Sequence, residues 1–115
     1  MEDTEFTEFQ RYFKEYQQRF GLTGYSVFFK YEPLGECFAS IAVNQHDMVA
    51  TVTLNSELPE GNKPFRDIKR DVRHEALHLL LFRLEHLASC RYIAEDELYE
   101  AVEELVNKME VLIGD

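Results

Sequence analysis

Aromatic residues near the start of the chain recur at steps of three or four positions, which is the spacing of one helical face. The members of this stripe are Phe6, Phe9, Phe13, Tyr16 and Phe20. Asp3 or Thr4 can cap the start of such a helix, and Gly21 can close its end. The pattern therefore predicts an amphipathic N-terminal helix whose aromatic stripe faces the core.

The middle of the chain is rich in aromatic and β-branched residues in three short runs. These runs, residues 25–31, 37–43 and 49–54, predict three β-strands. Turn-forming residues stand between them at 32–35 and 44–47, so the simplest prediction is a three-stranded antiparallel meander. Residues 55–64 contain Asn, Gly and Pro and predict a loop.

The remainder of the chain predicts two helices. Residues 66–89 contain no Gly or Pro and carry leucines on more than one side, which is typical of a helix buried through the centre of a domain. A second, amphipathic helix is predicted over 95–113. Its expected inner stripe is Leu98, Val102, Leu105, Met109 and Leu112. The order of elements predicts a single α+β domain spanning residues 1–115.

The net charge and the cysteine content limit the binding partners and the cellular location that we expect. The chain carries 12 basic and 22 acidic residues, a net charge of −10, so it repels nucleic-acid phosphates and anionic membranes. Cys37 and Cys90 are not in a C-x-x-C spacing, and we interpret both as reduced, partly buried thiols. The first residues lack the features of a secretion signal, and no apolar run approaches the length of a membrane span. We therefore expect a cytoplasmic protein.

Candidate chemistry stands inside the long predicted helix, where the sequence reads His74-Glu75-Ala76-Leu77-His78. Histidines at i and i+4 project from one helical face about one turn apart, so two imidazole nitrogens can reach one tetrahedral ion. Glu75 follows the first histidine and can accept a proton from a water activated by the metal. The pattern predicts a zinc site with His74 and His78 as ligands and Glu75 as general base.

In this motif and in the order of its elements, the chain resembles the zincin metallopeptidases. An N-terminal helix, a short meander, a loop, an H-E-x-x-H helix and a closing helix look like a minimal zincin core, similar to small SprT-like and phage or prophage metallopeptidases. The resemblance covers essentially the whole chain. It implies that the last strand before the motif helix lies along the cleft and that its free edge pairs with an extended peptide.

The third zinc ligand is less closely defined. The metzincin spacing after His78 is absent, and His86 lies two helical turns further on, too distant to share the ion. A glutamate of the closing helix remains, as in the gluzincin branch. The candidates are Glu97, Glu100, Glu103 and Glu104. Glu97 and Glu100 lie in the first turns, and Glu100 is nearly opposite the inner stripe, whereas helical geometry does not choose between Glu103 and Glu104, which flank the stripe. Resemblance to small phage-type members favours Glu104, which precedes an apolar pair.

The sequence thus predicts zinc-dependent hydrolysis of a peptide or protein substrate. Two alternatives come from other classes of protein. One is a non-catalytic binding module on a zincin fold, with a structural metal or none. The other is an acidic decoy that occupies a basic partner, which would bind with strong salt dependence and would not need zinc. Glu75 favours hydrolysis, because a binding module has no need of a carboxylate between two histidines.

Overall fold

In a computed structural model, which describes residues 4–113, the chain forms three α-helices and a three-stranded sheet. The α+β class predicted from the sequence is confirmed. The elements are α1 (Thr4–Arg19), β1 (Ser26–Glu32), β2 (Ala39–Asn44), β3 (Val49–Asn55), α2 (Ile68–Ala88) and α3 (Glu95–Ile113), with a short 3-10 turn at Lys63–Phe65 before α2.

The sheet is mixed, with strand order β1–β3–β2, so the predicted antiparallel meander is wrong. β2 and β3 form the expected antiparallel hairpin, closed by a turn in which Met48 has a φ of 57°. β1 instead pairs in parallel with β3, from Ser26 opposite Val49 to Glu32 opposite Asn55. β3 has no charged residue and suits the central position, whereas β1 carries Lys30 and Glu32 and lies at an edge.

The aromatic stripe of α1 faces the core as predicted. Phe9 and Phe13 are fully buried, and both pack edge-on against Phe29 of β1, with ring centroids 6.2 and 5.7 Å apart. Edge-to-face contacts of this kind stabilise aromatic clusters beyond the area they bury. The helix begins at Thr4, and the alternative cap Asp3 lies outside the described residues.

One flank of α2 is buried, which corrects the prediction of a helix buried through the centre of the domain. Val72 and Ala76 are fully buried, whereas Leu77 and Leu81 are each 41% exposed. The helix starts at Ile68, two residues later than predicted, because the Asp67 side chain accepts a hydrogen bond from the Arg70 N–H and caps it. Since only one flank packs on the domain, the opposite side is open to solvent.

The inner face of α3 is rotated from the predicted stripe. Ala101 and Leu105 are buried, whereas Val102 and Met109 are 40% and 45% exposed, so these two predicted core positions are wrong. Ala101 takes an inward position and is 1% exposed. Of the helices described over residues 4–113, none is both long and apolar enough to cross a membrane.

Both cysteines are free thiols. Cys90 is half-buried as expected, but Cys37 is exposed, because β2 begins only at Ala39 and Cys37 lies in the loop before it.

Candidate metal and peptide site

A groove runs between β2 and α2, which lie side by side and point in the same direction. At its first end Phe38 and Ala39 face Arg70 and His74. In its middle, a cavity of about 340 Å³ lies between residues 39–43 of β2 and the His74–Glu85 stretch of α2. We call this feature the β2–α2 groove.

The strand along this groove is β2, not the last strand before the motif helix. β3 is hydrogen-bonded on both sides, so it has no free edge. β2 is paired only with β3 among residues 4–113, so its other edge has no strand partner there, and residues 39–43 of β2 line one wall of the groove. The prediction that the last strand before the motif helix, β3, borders the cleft is therefore wrong. The strand beside the motif helix is β2, which has one edge without a strand partner among the described residues.

The two motif histidines are brought together at the groove. Their Nε2 atoms lie 3.2 Å apart, and both side chains are exposed. Two nitrogens bound to one tetrahedral zinc at about 2.0–2.1 Å lie about 3.4 Å apart, so the separation fits two ligands of one ion. The spacing follows directly from the i and i+4 positions on a regular helix.

Glu75 is placed with the histidines but in a different environment. Its residue is only 6% exposed, and it lines the groove together with His74. Burial raises the pKa of the Glu75 carboxyl above its ordinary value, although the imidazoles of His74 and His78 act in the opposite direction. A buried carboxylate with a raised pKa beside two potential metal ligands has the properties of a general base.

Asp71, one helical turn before Glu75, forms a buried ion pair with Arg66. Arg66 Nε lies 3.6 Å from Asp71 Oδ2, and within the described chain neither atom has a hydrogen-bond partner. Burial therefore raises the pKa of the Asp71 carboxyl, against the attraction of Arg66. Arg66 also donates to the carbonyls of Phe38 (2.8 Å) and Asn55 (3.2 Å), so it ties the segment before α2 to the residue before β2 and to the end of β3.

The loop that enters β2 is also hydrogen-bonded by the side chain of Asn55, which is 1% exposed. Its Oδ1 accepts from the N–H of Leu34 (3.1 Å) and of Glu57 (2.8 Å). Its Nδ2 donates to the carbonyls of Gly35 and Cys37, both at 2.8 Å. All the hydrogen-bonding capacity of the amide is used, and the loop beside His74 takes its shape from it.

The structure does not bring the glutamates of α3 to the histidine pair. Glu104 Oε1 accepts from Arg83 at 2.8 Å, and Glu100 lies 3.8 Å from the same guanidinium. Arg83 follows His74 by nine residues, about two and a half helical turns, so it projects from the opposite side of α2. Glu103 is exposed on α3. Within residues 4–113, no group of three His, Cys, Asp or Glu side chains is placed to hold a metal ion.

Sequence reasoning did not single out Asp71, Phe82 or Glu85, which line the same groove as the motif. Their helical spacing could have indicated that they lie on the same side of α2 as the motif. Asp71 precedes Glu75 by four residues, and Phe82 and Glu85 follow His78 by four and seven, so all three share the motif's flank. What the sequence could not supply is the strand on the other side of the groove.

Comparison with models of known protein families, with curated proteins and with solved structures found no match for this chain.

Proposed function

We propose that this protein is a zinc-dependent peptidase with its site in the β2–α2 groove. The observation that carries the proposal is the 3.2 Å separation of the His74 and His78 Nε2 atoms beside a buried Glu75. A pair of unliganded histidines does not need a buried carboxylate next to it, and burying that carboxylate opposes folding. Groups that oppose folding are often retained at functional sites.

His74 and His78 would hold the metal through their Nε2 atoms. Bound zinc supplies Lewis-acid chemistry, namely polarisation of a carbonyl and a lowered pKa of water. Glu75 accepts the proton of the attacking water and returns it to the leaving amine. The free edge of β2 binds the main chain of an extended substrate by strand addition, which holds the scissile bond near Glu75.

Glu104 remains the third ligand proposed from the resemblance. In the described arrangement the Glu104 carboxylate forms an ion pair with Arg83. Before Glu104 can bind zinc, this ion pair must break and α3 must move. We propose cytoplasmic location on the grounds of two free thiols.

A binding module is the second candidate, and one observation favours it. The described residues assemble two imidazoles but no third ligand, and a catalytic zinc site normally has three protein ligands. Such a module would use the edge of β2 to hold an extended peptide without cutting it.

Zinc content and peptide cleavage test the proposal together. We expect about one zinc per chain in the parent and a strong loss of zinc in His74→Ala. His46→Ala, which removes an exposed turn histidine, is the matched control and should keep its zinc. Glu75→Gln should keep zinc and lose cleavage of a pool of unstructured peptides, read by mass spectrometry, by at least about 100-fold.

Protein that stays free of zinc when zinc is supplied would contradict the proposal. Protein that binds zinc and holds peptides, but cleaves none of them, would favour the binding module.

A further inference from the structure

The β2–α2 groove continues beyond the histidine pair toward the C-terminal half of α2. Phe82 and Glu85 line the same cavity as His74 and His78, opposite Val43 of β2. The wall changes character along this direction, from imidazoles to an aromatic ring and then to a carboxylate. A ligand that follows β2 past the histidines therefore passes Phe82 and Glu85.

The Phe82 ring contacts a second ring one helical turn further on. It stacks on the His86 imidazole, with centroids 6.0 Å apart and planes inclined by 17°. The ring is half-buried, so one part of it remains available to the groove. An aromatic surface binds an aliphatic stem by apolar contact and attracts a cation placed over its face.

Glu85 supplies a negative charge that no other residue neutralises within the described chain. Its side chain is exposed and takes part in none of the ion pairs found among residues 4–113. The acids across α2 differ in this respect, because Glu100 and Glu104 both face Arg83. Glu85 can therefore form an ion pair with a ligand without first breaking one.

The charge of the whole chain acts in the same direction. A net charge of −10 draws cationic peptides toward the protein and repels anionic ones. We infer that Phe82 and Glu85 form a subsite for a lysine or arginine side chain of an extended peptide bound along β2. The inference rests on the proposed function for the position of the scissile bond, but not for the binding of the side chain.

The helix sets where the basic residue stands in the peptide. Glu85 follows Glu75 by ten residues, about 15 Å along the helix axis. An extended chain advances about 3.3 Å per residue, so the basic side chain lies about four or five residues from the bond near Glu75. Antiparallel addition to β2 places it on the N-terminal side of that bond, because β2 and α2 point in the same direction.

Binding tests the subsite without relying on cleavage. Fluorescently labelled ten-residue peptides with a single Lys, Arg, norleucine or Glu at one position can be titrated into the Glu75→Gln protein. We expect the Lys and Arg peptides to bind about fivefold more tightly than the norleucine peptide, the size of one exposed ion pair. The Glu peptide should bind most weakly.

Charge exchange at the subsite identifies the residue responsible. Adding Glu85→Gln should remove the preference for Lys over norleucine, and adding Glu85→Lys should make the Glu peptide the tighter ligand. Adding Glu110→Gln, at an exposed acid on α3, removes the same charge elsewhere and should leave the preference unchanged. Equal binding of the Lys and norleucine peptides, or a preference that survives Glu85→Lys, would overturn the inference.

Cleavage of the same peptides by the parent decides the proposed function separately. Faster cleavage when Lys stands about four or five residues before the cut supports both conclusions. A Glu85-dependent preference in binding without any cleavage keeps the subsite and removes the peptidase. Cleavage that ignores the basic residue keeps the peptidase and removes the subsite.

Discussion

Replacement of Asn55 tests whether one amide shapes the wall of the groove. The side chain is 1% exposed and makes four hydrogen bonds, to the backbone of Leu34, Gly35, Cys37 and Glu57. A hydrogen bond contributes about 1 kcal/mol net, and each buried group left without a partner costs about 1–3 kcal/mol more unless water reaches it. Allowing for partial hydration of the loop, Asn55→Ala should lower the free energy of unfolding by about 3–5 kcal/mol.

Asn55→Asp is the sharper variant because it keeps the shape of the side chain. The bonds from Leu34 and Glu57 can persist, but the new carboxylate oxygen faces the carbonyls of Gly35 and Cys37, which lie 2.8 Å from Nδ2 in the parent. A buried charge against two acceptors is strongly unfavourable. Its protonation relieves the repulsion, so the loss of stability should diminish as the pH falls.

Urea unfolding followed by circular dichroism measures both effects. For a slope of roughly 1–2 kcal/mol per molar urea, a loss of 3 kcal/mol moves the midpoint down by about 2 M. Asn107→Ala, at an exposed position on α3, is the control and should change stability by less than about 0.5 kcal/mol. A loss below about 1 kcal/mol in Asn55→Ala would refute the claim that this amide holds the loop.

Three further predictions concern charged groups around α2. Burial raises the pKa of Asp71, so its contribution to stability is present below its unfolded pKa and is lost as pH rises through the folded pKa. Asp71→Asn should therefore gain stability relative to the parent as the pH rises through the carboxyl range, and thermal unfolding across that range measures the difference. Arg66 should stay bound to the carbonyls of Phe38 and Asn55 in this variant. A difference in stability that does not change with pH would contradict the prediction. The pKa of Glu75 is raised for the same reason, so metal-free Glu75→Gln should melt at a higher temperature than the metal-free parent at neutral pH, as calorimetry can show. If Glu104 is the third ligand, Arg83→Gln should tighten zinc binding several-fold in a competitive chelator titration, because it releases the Glu104 carboxylate; weaker or unchanged binding would count against that ligand.

The sequence predicted well what depends on neighbours along the chain. The stripe of α1 and the β2–β3 hairpin are encoded within a few residues, as is the pairing of His74 with His78, and all three are present. The i and i+4 spacing fixes the imidazole separation almost independently of the rest of the fold.

The errors lie where a partner is distant in the chain. Turn residues after β1 show that the chain reverses, but they do not specify which strand becomes the neighbour, and β3 enters between β1 and β2. The rotation of α3 is decided by packing of Ala101 and Leu105 rather than by its full set of apolar positions. For the same reason an acidic helix could not reveal which of its glutamates meets Arg83.

The position of α3 connects the fold to the proposed chemistry. Its residues Ala101 and Leu105 are buried, and Glu104 forms an ion pair with Arg83 on the flank of α2 opposite His74. If Glu104 is to become the third zinc ligand, α3 must therefore give up this packing and this ion pair. Burial of apolar surface opposes that exchange by about 25 cal/mol per Å². Zinc binding by Glu104 should therefore be weaker than in a preformed site and accompanied by a rearrangement of α3. Two histidines completed by water need no such rearrangement. Hydrogen exchange along α3, measured with and without zinc, separates these two arrangements, because only the first changes the protection of its amides.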